Sequence, residues 1–229
     1  MRYNLLLFFA IGLSVTASYA AYITAPVDAV TGDIYRILYI HVPSAWVCYL
    51  AFSLSLITSI LFLVQRKEVY DITAEITAIL GLVYGAVALL SGSIWANAAW
   101  GSYWNWDPRE TTTLILWIAY LGYISIKLSI GDIERKKVIG AVYNITAFLT
   151  VPLSYLSITL IPTLHPQIVS ITGISLTLPM LTTLLVSLFA ATILFVYLLR
   201  LASTIWSLER KVNALVFEQG EQSGGKENA

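Results

Sequence analysis

Six apolar runs, each long enough to cross a bilayer, constrain this chain more than any other feature. They lie at roughly Leu5–Ile23, Pro43–Val64, Ile72–Ile94, Thr111–Ile130, Val138–Ile161 and Leu178–Leu199. About twenty apolar residues are what a helix needs to span a hydrocarbon core. Charges collect between the runs: Arg66, Lys67, Glu68 and Asp71 in one turn, Asp132 to Lys137 (DIERKK) in another. Lys127 stands close enough to the end of the fourth run to snorkel to the interface, and Glu75 reads as an interfacial charge. Only 11% of residues are charged, against about 25% in a soluble domain. The expected fold is an all-α integral membrane protein with six transmembrane helices in a single domain, residues 1–208. Residues 209–229 turn charged and then rich in Gly and Ser, and predict a disordered tail.

Basic residues orient the spans. With the N-terminus inside, Arg2, Arg66, Lys67, Lys127, Arg135, Lys136, Lys137, Arg200, Arg210, Lys211 and Lys226 lie on or near the cytoplasmic side, eleven of the thirteen. That is the bias the positive-inside rule describes. Both termini are then cytoplasmic, and the outer loops are 24–42, 95–110 and 162–177. Ser18-Tyr19-Ala20 also resembles a signal-peptidase site; either outcome leaves the next loop outside. Arg36 and Arg109 are the two exceptions on the disfavoured side, so each needs a local reason.

The outer loop after the third span reads WANAAWGSYWNWDPRETTT. It carries four of the seven tryptophans, Trp95, Trp100, Trp104 and Trp106, with Asn97, Asn105, Asp107, Arg109 and Glu110 among them. An interfacial aromatic belt is the plain alternative. Four indoles within twelve residues point instead to a platform for something large, flat and apolar, because an indole is awkward both in water and fully buried.

The chain has two histidines, His41 and His165, and both fall in outer loops beside that platform. His41 precedes Pro43, which suits the first turn of a helix. His165 is held between Pro162 and Pro166 in a stiff, non-helical loop. Zinc normally takes three or four protein ligands at tight spacing, and nothing here reads H-E-x-x-H. Two imidazoles with aromatic walls fit haem iron better. Haem carries two propionates, which an arginine matches in charge and geometry; Arg36 and Arg109 are the candidates. The competing roles are ion pairs, Arg36 with Asp33 and Arg109 with Asp107 or Glu110. The single cysteine, Cys48, excludes an internal disulfide framework and reads as a small buried hydrophobe. No C-x-x-C-H occurs, so the chain is not a c-type cytochrome. Zero net charge gives no basic surface for nucleic acid, and no nucleotide-binding loop is present.

WGSYWNWDPRET resembles the tryptophan-rich WGxxWxWDxR signature (the WWD domain) of the haem-handling proteins of cytochrome c biogenesis. YIHVPSAW, TLHP and the six-span layout resemble the CcmC type within it. The resemblance implies a non-covalent, bis-His haem b site on the outer face of the cell's inner membrane, with His41 and His165 as iron ligands. It implies that the tryptophan segment, here Trp100, Gly101, Trp104, Trp106, Asp107 and Arg109, cradles the porphyrin; Arg36 stays a candidate contact from its charge and placement alone. It also implies a haem transport and delivery component rather than an enzyme, handing haem to a chaperone of the CcmE type. The implied partners are membrane lipid and an ABC transporter complex, an ATPase with its membrane subunits, which would do any ATP hydrolysis. Glu110 departs from the type, which commonly has Leu there, and WNWDPRET looks more like the CcsA-type cytochrome c synthase branch. That branch carries further histidines within its spans, and none is expected here. A synthase subunit and a transmembrane haem-b electron carrier are the alternatives.

Overall fold

The computed structural model describes residues 2–28, 31–167, 169–170 and 173–227. Parts of the expected 162–177 loop and 209–229 tail (168, 171–172 and 228–229) lie outside these. Six helical spans are long and apolar enough to cross a membrane, so the chain is an all-helical, multi-pass membrane protein. In chain order they are built from α1 (Arg2–Tyr19), α2 (Leu38–Gln65), α3 (Glu68–Trp100), α4 (Pro108–Ser129), α5 (Ile133–Ala147) with α6 (Thr150–Leu160), and α7 (Leu178–Glu227). A two-residue antiparallel pair, β1 (Val169–Ser170) with β2 (Gly173–Ile174), lies between α6 and α7.

The α2–α3 pair forms the centre. Small residues line the contact, including Ala51, Ser55 and Ser59 on α2 and Ala74, Ala78 and Ala88 on α3, all buried. Lipid offers no hydrophobic drive for helix pairing, so close backbone approach over small side chains is what holds two such helices together. A methyl group at Gly81 would lie 2.5 Å from the Phe52 ring, so glycine is required there. Phe52 in turn stacks on Tyr120 of α4 at 3.5 Å. On one side α4, α5 and α6 pack together; on the other α7 packs on α2 and α3 and carries α1 at the periphery.

Four boundaries differ from the sequence expectation. Helix α2 starts at Leu38, entered through a 3-10 turn at Asp33–Ile37. His41 is therefore helical and Pro43 lies inside the helix. Helix α3 runs on through Trp95 and Asn97 to Trp100, and Gly101 ends it at φ 78 with its N–H donating to Asn97 O at 3.0 Å. At about 1.5 Å per residue, helices of 28 and 33 residues outrun a hydrocarbon core of about 30 Å. Hydropathy locates that core; the helix ends lie beyond it. The fifth span breaks at Phe148–Leu149. Pro152 is the cause, since its ring has no N–H for the Phe148 carbonyl and clashes with it. Helix α7 continues through the expected tail to Glu227. Extending an existing helix needs no new nucleus, and Glu209 to Glu218 contains good helix formers.

Lys127 also departs from expectation. It does not snorkel: its Nζ lies 2.7 Å from Asp71 Oδ1 and 3.1 Å from Glu75 Oε2. Two carboxylates one turn apart on α3 capture it before it can reach the interface.

Candidate functional site

One end of the bundle opens into a cavity between α2, α3 and the start of α4. The cavity is open to solvent at its mouth. His41, Trp95, Trp100, Trp104, Arg109 and His165 all line it, so residues from five segments, three helices and two loops, converge there.

Helix α2 delivers His41 in its first turn, against α3. The imidazole Nδ1 lies 2.9 Å from the Ala88 carbonyl oxygen and 3.3 Å from Ser91 Oγ. A carbonyl only accepts, so Nδ1 carries the proton and the neutral ring keeps its lone pair on Nε2. A second-partner hydrogen bond of this kind is the usual mark of a metal-ligating imidazole. Gly92 makes room: a methyl group there would lie 2.8 Å from Cε1 of His41.

His165 arrives from the loop after α6. Its ring centroid is 6.1 Å from that of His41, with 49° between the planes. Burial pushes the His165 imidazole down, and nearby His41 and Arg109 add to this, to about 3. The ring is neutral at any ordinary pH and free to ligate. Metal–imidazole bonds of about 2.0–2.1 Å, with roughly 1 Å from each nitrogen to its ring centre, place two ligating rings about 6 Å apart. The observed spacing fits one metal ion between them. Among the described residues no group of three His, Cys, Asp or Glu comes together as a metal site. A bare ion would have two protein ligands; a haem iron brings four of its own and needs two more.

The tryptophans are walls rather than a flat platform. Trp95 and Trp100 pack edge to face at 5.0 Å, and Trp104 and Trp106 do the same at 5.9 Å. Trp106 does not line the cavity. It sits at φ 57, an uncommon conformation for a bulky residue, and is 73% exposed. Gly101 is likewise outside the lining, where its left-handed φ ends α3.

Asp107 is committed elsewhere than to the cavity. It caps α4 by accepting from Arg109 N–H at 2.9 Å, with Pro108 in the first helical position as expected for a start. It also accepts from the Thr163 hydroxyl at 2.7 Å and from Leu164 N–H at 2.7 Å. Burial pushes its carboxyl up, and these hydrogen bonds more than offset that, leaving it below the usual range.

The two arginines part company. Arg36 is absent from the cavity wall. Its Nε bonds Asp33 at 2.8 Å, and its Nη1 reaches the carbonyls of Ala21 and Ala25, closing the end of the first span. The competing role, an ion pair with Asp33, is the one observed. Arg109 lines the cavity with no carboxylate partner among the described residues. Its Nη1 donates to Ser154 O and Tyr155 O, and the guanidinium lies 5.7 Å over the Tyr49 ring. Glu110 also lines the wall and accepts from Asn105 N–H.

Sequence reading missed Ala88, Gly92, Thr163 and the Tyr49–Ser154–Thr113 hydroxyl cluster beside Arg109. One signal was available for two of them. Gly81, Gly85, Ala88 and Gly92 share a face of α3, which marks where another helix comes close. Cys48, read as buried, is buried, and its side chain also reaches the cavity floor.

The family model CcmC, described as Heme exporter protein C, matches residues 2–218. Heme exporter protein C of Bradyrhizobium diazoefficiens is 34% identical over 200 residues, 86% of this chain and 76% of that protein. A putative cytochrome c biosynthesis ccmC-like mitochondrial protein of Marchantia polymorpha is 31% identical over 74% of this chain and 72% of its own length. Cytochrome c biogenesis protein CcsA of a Synechococcus strain matches more narrowly, 42% identical over 33% of this chain and 25% of that protein.

Proposed function

The chain belongs to the CcmC family, Heme exporter protein C, and from that premise we propose that His41 and His165 are the axial ligands of a non-covalently held haem b. Membership makes it a haem-handling membrane component of cytochrome c biogenesis, on the side of transport and delivery. The observation that carries the ligand assignment is the 6.1 Å spacing of two half-buried imidazoles, one with its Nδ1 proton held by the Ala88 carbonyl.

Haem here is cargo. His41 and His165 fill both free positions on its iron and keep other ligands off. Trp95, Trp100 and Trp104 give the porphyrin apolar walls, and Arg109 offers an uncompensated cation to a propionate. The site is read as lying on the outer face of the inner membrane; the basic residues of the 66–71 and 131–137 turns and of α7 meet at the opposite end, around Glu68, which supports a cytoplasmic side there. From the outer face haem passes to a chaperone of the CcmE type. Transfer between two proteins follows differential affinity, so binding here is firm rather than maximal. An ABC-type ATPase and its membrane subunits complete the assembly. A CcsA-type synthase reading has less support, because that match is partial.

The test is the absorption spectrum of the chain purified in detergent and supplied with haem. Wild type should give a low-spin, bis-imidazole ferric spectrum. His41→Ala and His165→Ala should each turn high-spin or lose haem. If both keep the wild-type spectrum without added imidazole, the ligand assignment is wrong. Reporter fusions at 66–71 and 131–137 reading cytoplasmic, and near 103 reading external, check the orientation.

A further inference from the structure

The acidic residue of the tryptophan motif does not face the cavity, and its partners suggest what it does. Asp107 closes the link 101–107 that carries Trp104 and Trp106, while Thr163 and Leu164 sit beside His165 in the loop after α6. The Thr163 hydroxyl lies 2.7 Å from both Asp107 carboxylate oxygens. Leu164 N–H donates to Oδ2 at 2.7 Å. The same Thr163 oxygen accepts from the backbone N–H of His165 at 3.0 Å. Carboxylate, hydroxyl and the amide of the ligand residue thus form one chain across 56 to 57 residues of sequence.

Resting on the ligand assignment above, we infer that Asp107 is the positioning residue for His165 and acts through Thr163 as a latch. The physical case is one of constraint. An irregular loop has no helix to fix the direction of its side chains. Pro162 and Pro166 stiffen it but offer no N–H to anchor it. A buried carboxylate accepting from several donors is among the stronger anchors available. Gln167 fastens the far side, donating to Ile158 O at 2.6 Å. His41 needs no such device, because α2 and the Ala88 carbonyl already aim it. The motif and the second ligand are therefore one mechanical unit: Trp104 lines the cavity, and the Asp107 that follows it sets the distance across it.

Thr163→Val tests this while leaving the capping bond from Arg109 N–H to Asp107 in place. In haem-free protein the amide of Leu164 should exchange with solvent faster than in wild type, because its acceptor is loosened. With haem, a high-spin fraction should appear that returns to low-spin on adding imidazole, as it should for His165→Ala. Thr163→Ser should restore both wild-type readings. Asp107→Ala should reproduce the spin change; a fall in melting temperature alone reflects the lost cap and counts for nothing here. Fully low-spin spectra from both Thr163→Val and Asp107→Ala would overturn the latch. So would haem loss in Asp107→Ala with Thr163→Val unchanged, since that marks a direct contact. A wild-type chain without a Soret band sinks the ligand assignment instead, and Leu164 exchange then decides the latch alone.

Discussion

Polar groups gather at both ends of the bundle, in opposite electrostatic condition. At one end Lys127 lies between Asp71 and Glu75, with Nζ at 2.7 and 2.8 Å from the two Asp71 oxygens. The Lys127 side chain is 2% exposed and that of Asp71 is 6%. At the other, His41, His165 and Arg109 converge on a cavity whose lining carboxylate, Glu110, accepts from Asn105 N–H and forms no ion pair with them among the described residues. The first cluster is complete, and nothing further can bind it without displacing a partner. The second holds two imidazoles and a guanidinium that donates to the Ser154 and Tyr155 carbonyls but forms no ion pair among the described residues. A satisfied buried cluster fixes helices; the convergent groups at the other end hold no such ion pair, which is what the proposed ligand site rests on.

The largest effect should come from breaking the complete end. Lys127→Met leaves the buried Asp71 carboxylate unpaired, which costs about 3–5 kcal/mol. Denaturant unfolding in detergent measures it, while haem bound to the folded fraction stays low-spin. Adding Asp71→Leu should recover much of the loss. A Lys127→Met chain as stable as wild type would erase the contrast between the two ends.

Arg109 comes next. A hydrogen bond to a charged group contributes about 1.5–3 kcal/mol, roughly ten- to a hundredfold in affinity. Arg109→Ala should lower haem occupancy by that factor and leave the bound fraction low-spin; Lys should rescue in part, lacking the planar fork. Haem dimethyl ester, which has no carboxylates, should bind wild type about as weakly as haem binds the variant. If wild type takes the ester as tightly as haem, and the variant keeps full affinity for haem, the arginine is structural.

Gly92→Ala should act at the lower end of the about 1–3 kcal/mol typical of over-packing, because its methyl meets the His41 ring. A spin-state titration reads the displaced ligand directly. The smallest effect on the site belongs to Arg36→Ala. Haem affinity should not change, while protease access to the 20–25 segment rises as the first span loses its tie. A loss of haem affinity equal to that of Arg109→Ala would return Arg36 to the cavity.

These outcomes follow a division already visible between sequence and structure. The six spans were legible because hydropathy over about twenty residues is a local property, and the structure has six such helices. The two histidines stood out through scarcity, and the structure brings their rings together. The helix ends at Leu38 and Trp100 were not legible, because hydropathy marks the hydrocarbon core and the helical hydrogen bonds continue past it. Trp106 shared every sequence property of Trp104, yet its φ of 57 turns it outward. Only the folded loop carries that information.

By itself, the sequence determined that this chain crosses a membrane six times and concentrates its unusual chemistry in a tryptophan motif and two histidines. Tertiary structure alone decided which charges are consumed in ion pairs that hold the bundle and which lie at the cavity without one. Arg36 and Arg109 look alike in the sequence, each basic and each close to an acid. One reaches back to carbonyls 11 and 15 residues away; the other lies at the cavity, bonded to a carbonyl 45 residues on. Lys127 meets Asp71 across 56 residues, and His41 meets the Ala88 carbonyl across 47. A polar group's role depends on whether its charge or lone pair is satisfied, and its partners come from helices that only packing brings side by side.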